Sequence, residues 1–325
     1  KASYRTMKSS PEPKNPKAWT PNWVLGLVIA ATYSLAFMLA PIYTIAAIVS
    51  FQFLTFKQAI IFSFPLIVSI LIPPIHAPKV LASLSPLATG YFQYEEVLEQ
   101  SYEEIEVALE SGKQRNFLVC MQPHGVVSFT SFCMNIMCPP YHRRVKTAVA
   151  TSVLYAPILK HLLGINGLIS ASKANLTKHL KKPGVDGCAN LYVGGIAELF
   201  KCSREEERLF LSKRKGFIKL ALRENVDIVP VYLFGNTSIL SEWKSRILCE
   251  VSRKTGVVCT YFWGKWALPI PRDEQMLVAR GKPMGLPHIP DPSQNDIDYW
   301  HAKYCQEVKR LFDTYKEKLP NYKNK

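Results

Sequence analysis

Between Trp23 and Ile75 the chain carries a single charge, Lys57, in an otherwise apolar run. A bilayer crossing takes roughly 20 apolar residues. The pattern therefore predicts two membrane helices, near 23–45 and 53–75, with a break between Ser50 and Lys57. Pro41 and Pro65 fall inside them, where membrane helices tolerate proline. The run far exceeds the roughly 7–15-residue apolar core of a signal peptide. A shallow re-entrant hairpin fits the same pattern, and either form returns the rest of the chain to the side it started from.

After the hairpin, residues 76–90 are rich in Pro and Ser, with Leu81, Leu84 and Leu87 forming an apolar edge suited to the bilayer surface. The acidic stretch from Glu95 to Glu110 places Val97, Leu98, Ile105, Ala108 and Leu109 roughly on one face, which predicts a helix with a solvated acidic side. From Phe117 the pattern alternates. Strands are expected at 117–121, 145–150, 166–170, 189–193 and 227–234. Helices are expected at 153–163, at 173–182 and at 196–224 with an interruption near Lys213. Such alternation predicts an α/β domain over 76–325, a mixed and mainly parallel sheet flanked by helices. Beyond Gly235 the expectation is a helix over 237–253, strands at 256–262 and 276–280, and an amphipathic helix over 294–318 ended by Pro320.

Charge adds a partner class. The 325 residues carry a formal charge of +15 and a pI near 9.4, which predicts phosphates, nucleic acid or an acidic membrane surface as partners. Residues 1–22 are polar, basic and Pro-rich, and read as a solvated tail ending in the interfacial aromatics Trp19 and Trp23. The basic tail favours the cytosolic side. Cysteines 120, 133, 138, 188, 202, 249, 259 and 305 are scattered without metal spacing and read as reduced thiols; no metal site is expected.

Three stretches carry candidate chemistry. Gln122-Pro123-His124-Gly125 follows the strand at 117–121, and Pro123 and Gly125 force a turn that lifts His124 out at the strand's carboxyl end. His124 is there either a general base or a turn histidine hydrogen-bonded to backbone. Gly194-Gly195-Ile196-Ala197-Glu198 again follows a strand and opens a helix, and its amides suit an anion or a developing oxyanion. Glu198 either complements the helix dipole, orients His124 or anchors a polar headgroup. Finally, Lys213-Arg214-Lys215-Gly216 and the basic residues from Arg143 to Lys182 suit phosphate groups, those of coenzyme A or of nucleic acid. Nucleic-acid motifs are absent, and a membrane anchor argues against that partner. No G-x-S-x-G elbow, P-loop or dinucleotide fingerprint occurs, so His124 is expected to activate a substrate's own hydroxyl.

From Tyr91 to Lys318 these residues resemble the type 2 diacylglycerol acyltransferase family, which also includes monoacylglycerol and wax-ester acyltransferases. Gln122-Pro123-His124-Gly125 is similar to the family's His-Pro-His-Gly, written Glu-Pro-His-Ser in plants. Gly194-Gly195-x-x-Glu198, Arg214-Lys215-Gly216-Phe217 with Ala221, Val229-Pro230-Val231 and Phe234-Gly235 match the family pattern. Gly281-Lys282-Pro283-Met284 and the stretch from Pro292 to Tyr304, with Ile297, Asp298 and His301, resemble its later motifs. Gln122 and Gln93 depart from it, replacing a His and a Pro. The wider glycerolipid acyltransferase superfamily places an Asp five residues after its His; here that position is Phe129.

The resemblance implies acyl transfer from acyl-CoA, as co-substrate, to the hydroxyl of diacylglycerol, with triacylglycerol as product and no cofactor. It implies His124 as base and Glu198 as its acidic partner. Gln122, Pro123, Gly125, Gly194, Gly195, Arg143, Arg144, Arg214, Lys215 and Gly216 are then expected around the substrates. A monoacylglycerol or fatty-alcohol acceptor and an inactive lipid-binding scaffold are the alternatives. Membrane lipids are expected partners and a homo-oligomer stays open. The expected location is the endoplasmic reticulum membrane, catalytic domain towards the cytosol, or the lipid droplet surface.

Overall fold

The computed structural model describes residues 20–255, 258 and 260–322. Most of the expected basic tail, residues 1–19, lies outside that range, as do 256, 257 and 259 of the strand expected at 256–262.

The strands are β1 (Gln93–Leu98), β2 (Phe117–Gln122), β3 (Lys146–Val149), β4 (Leu168–Ser170), β5 (Ala189–Tyr192), β6 (Asp227–Phe234), β7 (Ser241–Glu242), β8 (Phe262–Trp263) and β9 (Gln275–Arg280). Seven of them form one sheet in the order β1-β9-β6-β2-β5-β3-β4, and β7 pairs with β8 apart from it. Strands β6, β2, β5, β3 and β4 run parallel; β9 runs against β6 and carries β1 alongside it. The sheet is thus mixed and mainly parallel, as expected.

The helices are α1 (Pro21–Phe53), α2 (Phe56–Leu71), α3 (Pro78–Ser83), α4 (Tyr102–Glu110), α5 (Phe129–Met137), α6 (Thr151–Tyr155), α7 (Leu159–Gly164), α8 (Lys173–Leu180), α9 (Ile196–Leu199), α10 (Gly216–Arg223), α11 (Arg246–Thr255) and α12 (Gln294–Tyr315). Both faces of β2 are covered, because alternate residues of a strand point to opposite sides. Leu118 and Cys120 pack with residues of α8, α10 and α12, including Leu176, Ile218 and Tyr304. Phe117, Val119 and Met121 pack with Ile105 and Leu109 of α4 and Met134 of α5.

Helix α1 starts with Thr20 as cap, its Oγ1 accepting the Trp23 N–H at 3.2 Å. Its first half is docked on the α/β domain: Trp23, Ala30 and Tyr33 share a core with Tyr91, Phe92, Phe129 and Phe132. Its second half and α2 expose a sleeve of Ile, Leu and Phe and meet through Ala40, Ala47, Ser50, Ala59 and Ser63. Small residues at the contact let two helices approach closely. The break falls at Leu54–Thr55, inside the interval expected for it. Helix α1 is long and apolar enough to cross a membrane, while α2 has 16 residues, roughly 24 Å of helix.

Five expectations need correction, the first being the strand expected at 256–262, which among the described residues begins only at Phe262. Residues 95–98 form strand, not helix, because the open edge of β9 binds them in register from Gln93 to Leu98; the helix begins only at Tyr102, where Ser101 and Glu104 make a capping box. The helix expected at 153–163 is two short ones, interrupted at Pro157, which cannot donate to the helical ladder. The helix expected at 196–224 is α9, an irregular loop over 200–215, and α10. The helix expected at 237–253 begins only at Arg246, because Ser241 and Glu242 pair with Trp263 and Phe262.

Candidate functional site

Strand β2 ends at Gln122, and Pro123, His124 and Gly125 turn the chain at the carboxyl edge of the parallel strands. The ends of β5 and β6 lie on either side and bring Gly194-Gly195 and Gly235-Asn236 to the same edge. Gly125 has a φ of +65°, and a Cβ on it would lie 2.6 Å from the carbonyl oxygen of Asn236. Only glycine allows that approach.

His124 is half-buried, its ring 4.5 Å from that of Tyr192 between centroids. Nδ1 lies 2.7 Å from the carbonyl oxygen of Gly125. A carbonyl only accepts, so Nδ1 carries the proton and Nε2 the lone pair. Burial lowers the ring's pKa below the ordinary 6.5, with the Gly125 carbonyl partly opposing. The imidazole is therefore neutral near pH 7. His124 is thus a turn histidine bonded to backbone, and that bond leaves the lone pair on Nε2.

Glu198 is buried under the same turn. Its Oε1 accepts the backbone N–H of His124 at 2.8 Å, and its Oε2 accepts that of Phe210 at 3.3 Å. The carboxylate thus meets His124 through the backbone of the turn, not through the imidazole. Burial raises its pKa to about 7, against the two amides and Arg214, which favour the charged form. A Cβ on Gly194 would lie 2.1 Å from Glu198 Oε2, so glycine at 194 makes room for this carboxylate. Helix α9 has four residues, too short to offer an appreciable dipole.

Gln122 is fully buried, and its Oε1 accepts the hydroxyl of Tyr304 at 2.5 Å; Nε2 has no hydrogen-bond partner among the described residues. Asn236, which sequence reasoning missed, clamps the turn from the other side. Its Nδ2 lies 2.9 Å from Pro123 O, 2.5 Å from His124 O and 3.1 Å from Ser128 Oγ, and its Oδ1 accepts the Thr130 N–H. The one signal was its position just after Phe234-Gly235 at a strand's carboxyl end. Tyr192 had no signal, and Tyr304 only its place at the end of the stretch from Pro292, because their roles depend on packing across the sheet edge.

Arg214 reaches the site: Nη2 lies 3.4 Å from Gly194 O, and the guanidinium stands 5.4 Å from the Phe210 ring centroid. Lys201 stands 4.4 Å from the same ring. The loop that carries them is tied down by Glu207, whose carboxylate accepts the hydroxyls of Tyr232, Thr237 and Tyr322. Lys215 precedes Gly216 at the start of α10 and pairs with Asp298 at 2.6 Å.

Arg143 and Arg144 are not brought to this edge. They precede β3, and the register aligns Lys146 and Leu118 with the same residue, Ala189. They therefore sit at the amino edge of the sheet, opposite His124. There Arg144 pairs with Asp186, and Arg143 donates to Ile136 O at 3.0 Å. Phe129 is buried against Tyr33 and Phe92.

Compared with known proteins, the chain matches the family model described as diacylglycerol acyltransferase over residues 101–324. A protein named Diacylglycerol O-acyltransferase 2 from Danio rerio is 28% identical over 225 residues, 63% of this chain and 62% of that protein. The Homo sapiens protein of the same name is 27% identical over 225 residues, 63% of this chain and 58% of its own. Acyl-CoA wax alcohol acyltransferase 1 of Homo sapiens is 28% identical over 223 residues, 62% of this chain and 67% of its own. The chain spans 62% of the length of the first of these relatives. Among solved structures, the 1-acyl-sn-glycerophosphate (LPA) acyltransferase PlsC from Thermotoga maritima aligns with 89% of this chain and 98% of its own, with a TM-score of 0.45 and 12% identity.

Proposed function

The chain belongs to the diacylglycerol acyltransferase family, and we propose that it transfers a fatty acyl group from acyl-CoA to the free hydroxyl of diacylglycerol, giving triacylglycerol. The observation that carries this reading is the His124 ring, neutral and tied through Nδ1 to Gly125, which leaves Nε2 to take a proton. In the proposed step, Nε2 removes the hydroxyl proton as the oxygen attacks the thioester carbonyl. The tetrahedral oxyanion then collapses, the C–S bond breaks, and the proton passes from His124 to the leaving thiolate. The amides of Gly194 and Gly195 are the proposed donors to the oxyanion. Arg214 is the proposed contact for coenzyme A phosphates, and Lys215 joins it by exchanging Asp298 for phosphate. The step is redox-neutral, and the proposal assigns it no cofactor beyond the acyl-CoA co-substrate.

Both acyl substrates dissolve in lipid, so the reading also assigns the hairpin to the bilayer. Helix α2, at roughly 24 Å, is shorter than a hydrocarbon core of about 30 Å. The proposal is therefore a hairpin that enters and leaves by one face, with the domain on the cytosolic side of the endoplasmic reticulum or on a lipid droplet.

The test is acyl transfer from labelled acyl-CoA in microsomes of a triacylglycerol-deficient host, with wild type and His124→Ala side by side. Diacylglycerol, monoacylglycerol and fatty alcohol are offered separately. Triacylglycerol made by wild type and lost in the variant supports the reading. The wax alcohol relative, as similar as the others, makes fatty alcohol the acceptor to watch. No transfer to any acceptor by inserted, folded protein would leave the scaffold reading.

A further inference from the structure

Outside the hairpin, six large apolar side chains stand exposed within one segment of the α/β domain: Trp243, Ile247, Val251, Tyr261, Trp266 and Leu268. Trp243, Tyr261, Trp266 and Leu268 belong to one joined unit, and Ile247 and Val251 follow Trp243 on α11. The Trp243 N–H donates to Tyr261 O at 2.8 Å, and the Tyr261 hydroxyl donates to Ala267 O at 2.8 Å, which joins the strand pair to the 264–268 turn. Ile247 and Val251 lie one turn apart on α11 and so share a face.

The turn is built to keep these side chains outward. Trp266 and Ala267 have φ of +53° and +56°, a left-handed backbone that costs non-glycine residues about 1–2 kcal/mol each. The result is a tryptophan left 63% exposed. Soluble domains seldom leave contiguous apolar patches uncovered. Five cations lie in the same segment: Lys244 pairs with Glu242, Arg246 with Glu250 and Lys265 with Asp273, while Arg253 and Lys254 add positive charge in the last turn of α11. Apolar and aromatic side chains with basic neighbours suit a bilayer interface carrying anionic headgroups.

The patch also continues the apolar anchor. Lys265 Nζ lies 4.9 Å from the Trp23 ring centroid and 2.8 Å from Asp273, which accepts the Trp23 indole N–H at 3.3 Å. Trp23 opens α1, where Val24, Leu25 and Val28 are exposed in the next turns. Helix α11 in turn lies against α9, which carries Glu198. We propose that α11 and the 264–268 turn dock on the membrane surface, Ile247, Val251, Trp266 and Leu268 in the interface and the basic residues on anionic headgroups. This rests on the hairpin's proposed place in the bilayer. Docking then holds the carboxyl edge of the sheet, and His124 with it, beside the lipid.

The test uses full-length protein in nanodiscs holding one copy each, of phosphatidylcholine with or without phosphatidylserine. Single cysteines replace Ile247, Trp266, Ile48 on the hairpin and Tyr299 on α12, in a Cys249→Ser background. A membrane-impermeant maleimide is applied, and labelling at each site is read by peptide mass spectrometry against the unfolded rate. Expected is labelling at 247 and 266 about fivefold slower than at 299, with stronger protection on phosphatidylserine. As a second measurement on the otherwise native chain, brominated lipid should quench a tryptophan signal that Trp266→Phe removes. Free labelling at 247 and 266 with 48 protected overturns the docking surface alone. Free labelling at all three overturns the bilayer anchor as well. Protection only in discs holding two copies overturns the lipid partner in favour of a second copy of the chain.

Discussion

The carboxylate of Glu198 accepts the backbone N–H of His124 at 2.8 Å and leaves the imidazole to the carbonyl of Gly125. Together with Asn236, which donates to Pro123 O and His124 O, it fixes the backbone from which the ring projects. In the proposed mechanism Glu198 is a positioning residue, and its removal is expected to act through the placement of Nε2.

Gly194→Ala should reproduce Glu198→Ala. The new Cβ would lie 2.1 Å from Glu198 Oε2 and displace the carboxylate from both amides. Each single variant is expected to lower kcat more than it raises KM, and to lose about 1–3 kcal/mol of stability through unpaired buried amides. The double variant should be little worse than either one. Fully additive losses in kcat would separate the two residues.

Glu198 also makes stability depend on pH. Its pKa is raised in the fold from the ordinary 4.5 to about 7, so between those values the folded state binds more protons than the unfolded one. Stability from this group is full below about 4.5 and is lost as pH rises through about 7. Thermal unfolding of Glu198→Gln across that window should lack this part of the decline. An identical slope in both proteins would contradict the raised value.

The pH profile of turnover should reflect the opposite shift at His124. Its pKa is lowered from 6.5, so the neutral ring persists through pH 6.5 and protonates only on further acidification. Stability from the half-buried neutral ring is likewise present above 6.5 and lost as pH falls through the lowered value. Measured kcat/KM should be flat near neutrality with an acid limb below pH 6.5. His124→Ala should cost about a hundredfold or more; a limb centred well above 6.5 would assign the base elsewhere.

Asn236→Ala should destabilise the fold by about 1–3 kcal/mol, because buried carbonyls of Pro123 and His124 lose their donor. Turnover should fall with it while the apparent KM for acyl-CoA changes little. Denaturant unfolding and steady-state kinetics on one preparation would show whether the two effects separate.

The two arginine groups should behave differently. Arg214→Ala is expected to raise the apparent KM for acyl-CoA about tenfold, the order of one charge-assisted contact. Arg144→Ala should leave it unchanged, since Arg144 pairs with Asp186 at the far edge of the sheet. Equal effects at both positions would remove Arg214 from the substrate.

Local pattern alone determined much of the scaffold. The apolar runs at 117–121 and 227–234 became β2 and β6 within a residue, and the amphipathic stretch from 294 became α12, because burial on both faces or on one helical stripe is written in neighbouring residues. The turn at Pro123-His124-Gly125 and its place at a strand's carboxyl end were legible for the same reason. Tertiary structure decided the rest. Residues 95–98 became strand because β9 offers an unpaired edge to hydrogen-bond, and 200–215 left the helical pattern where Glu207 meets three hydroxyls from distant segments. Charge density could not tell Arg214 from Arg144, because only strand direction and register place one beside His124 and the other across the sheet. Asn236 and Tyr304 joined the site through hydrogen bonds spanning 112 and 182 residues, contacts that no local period encodes.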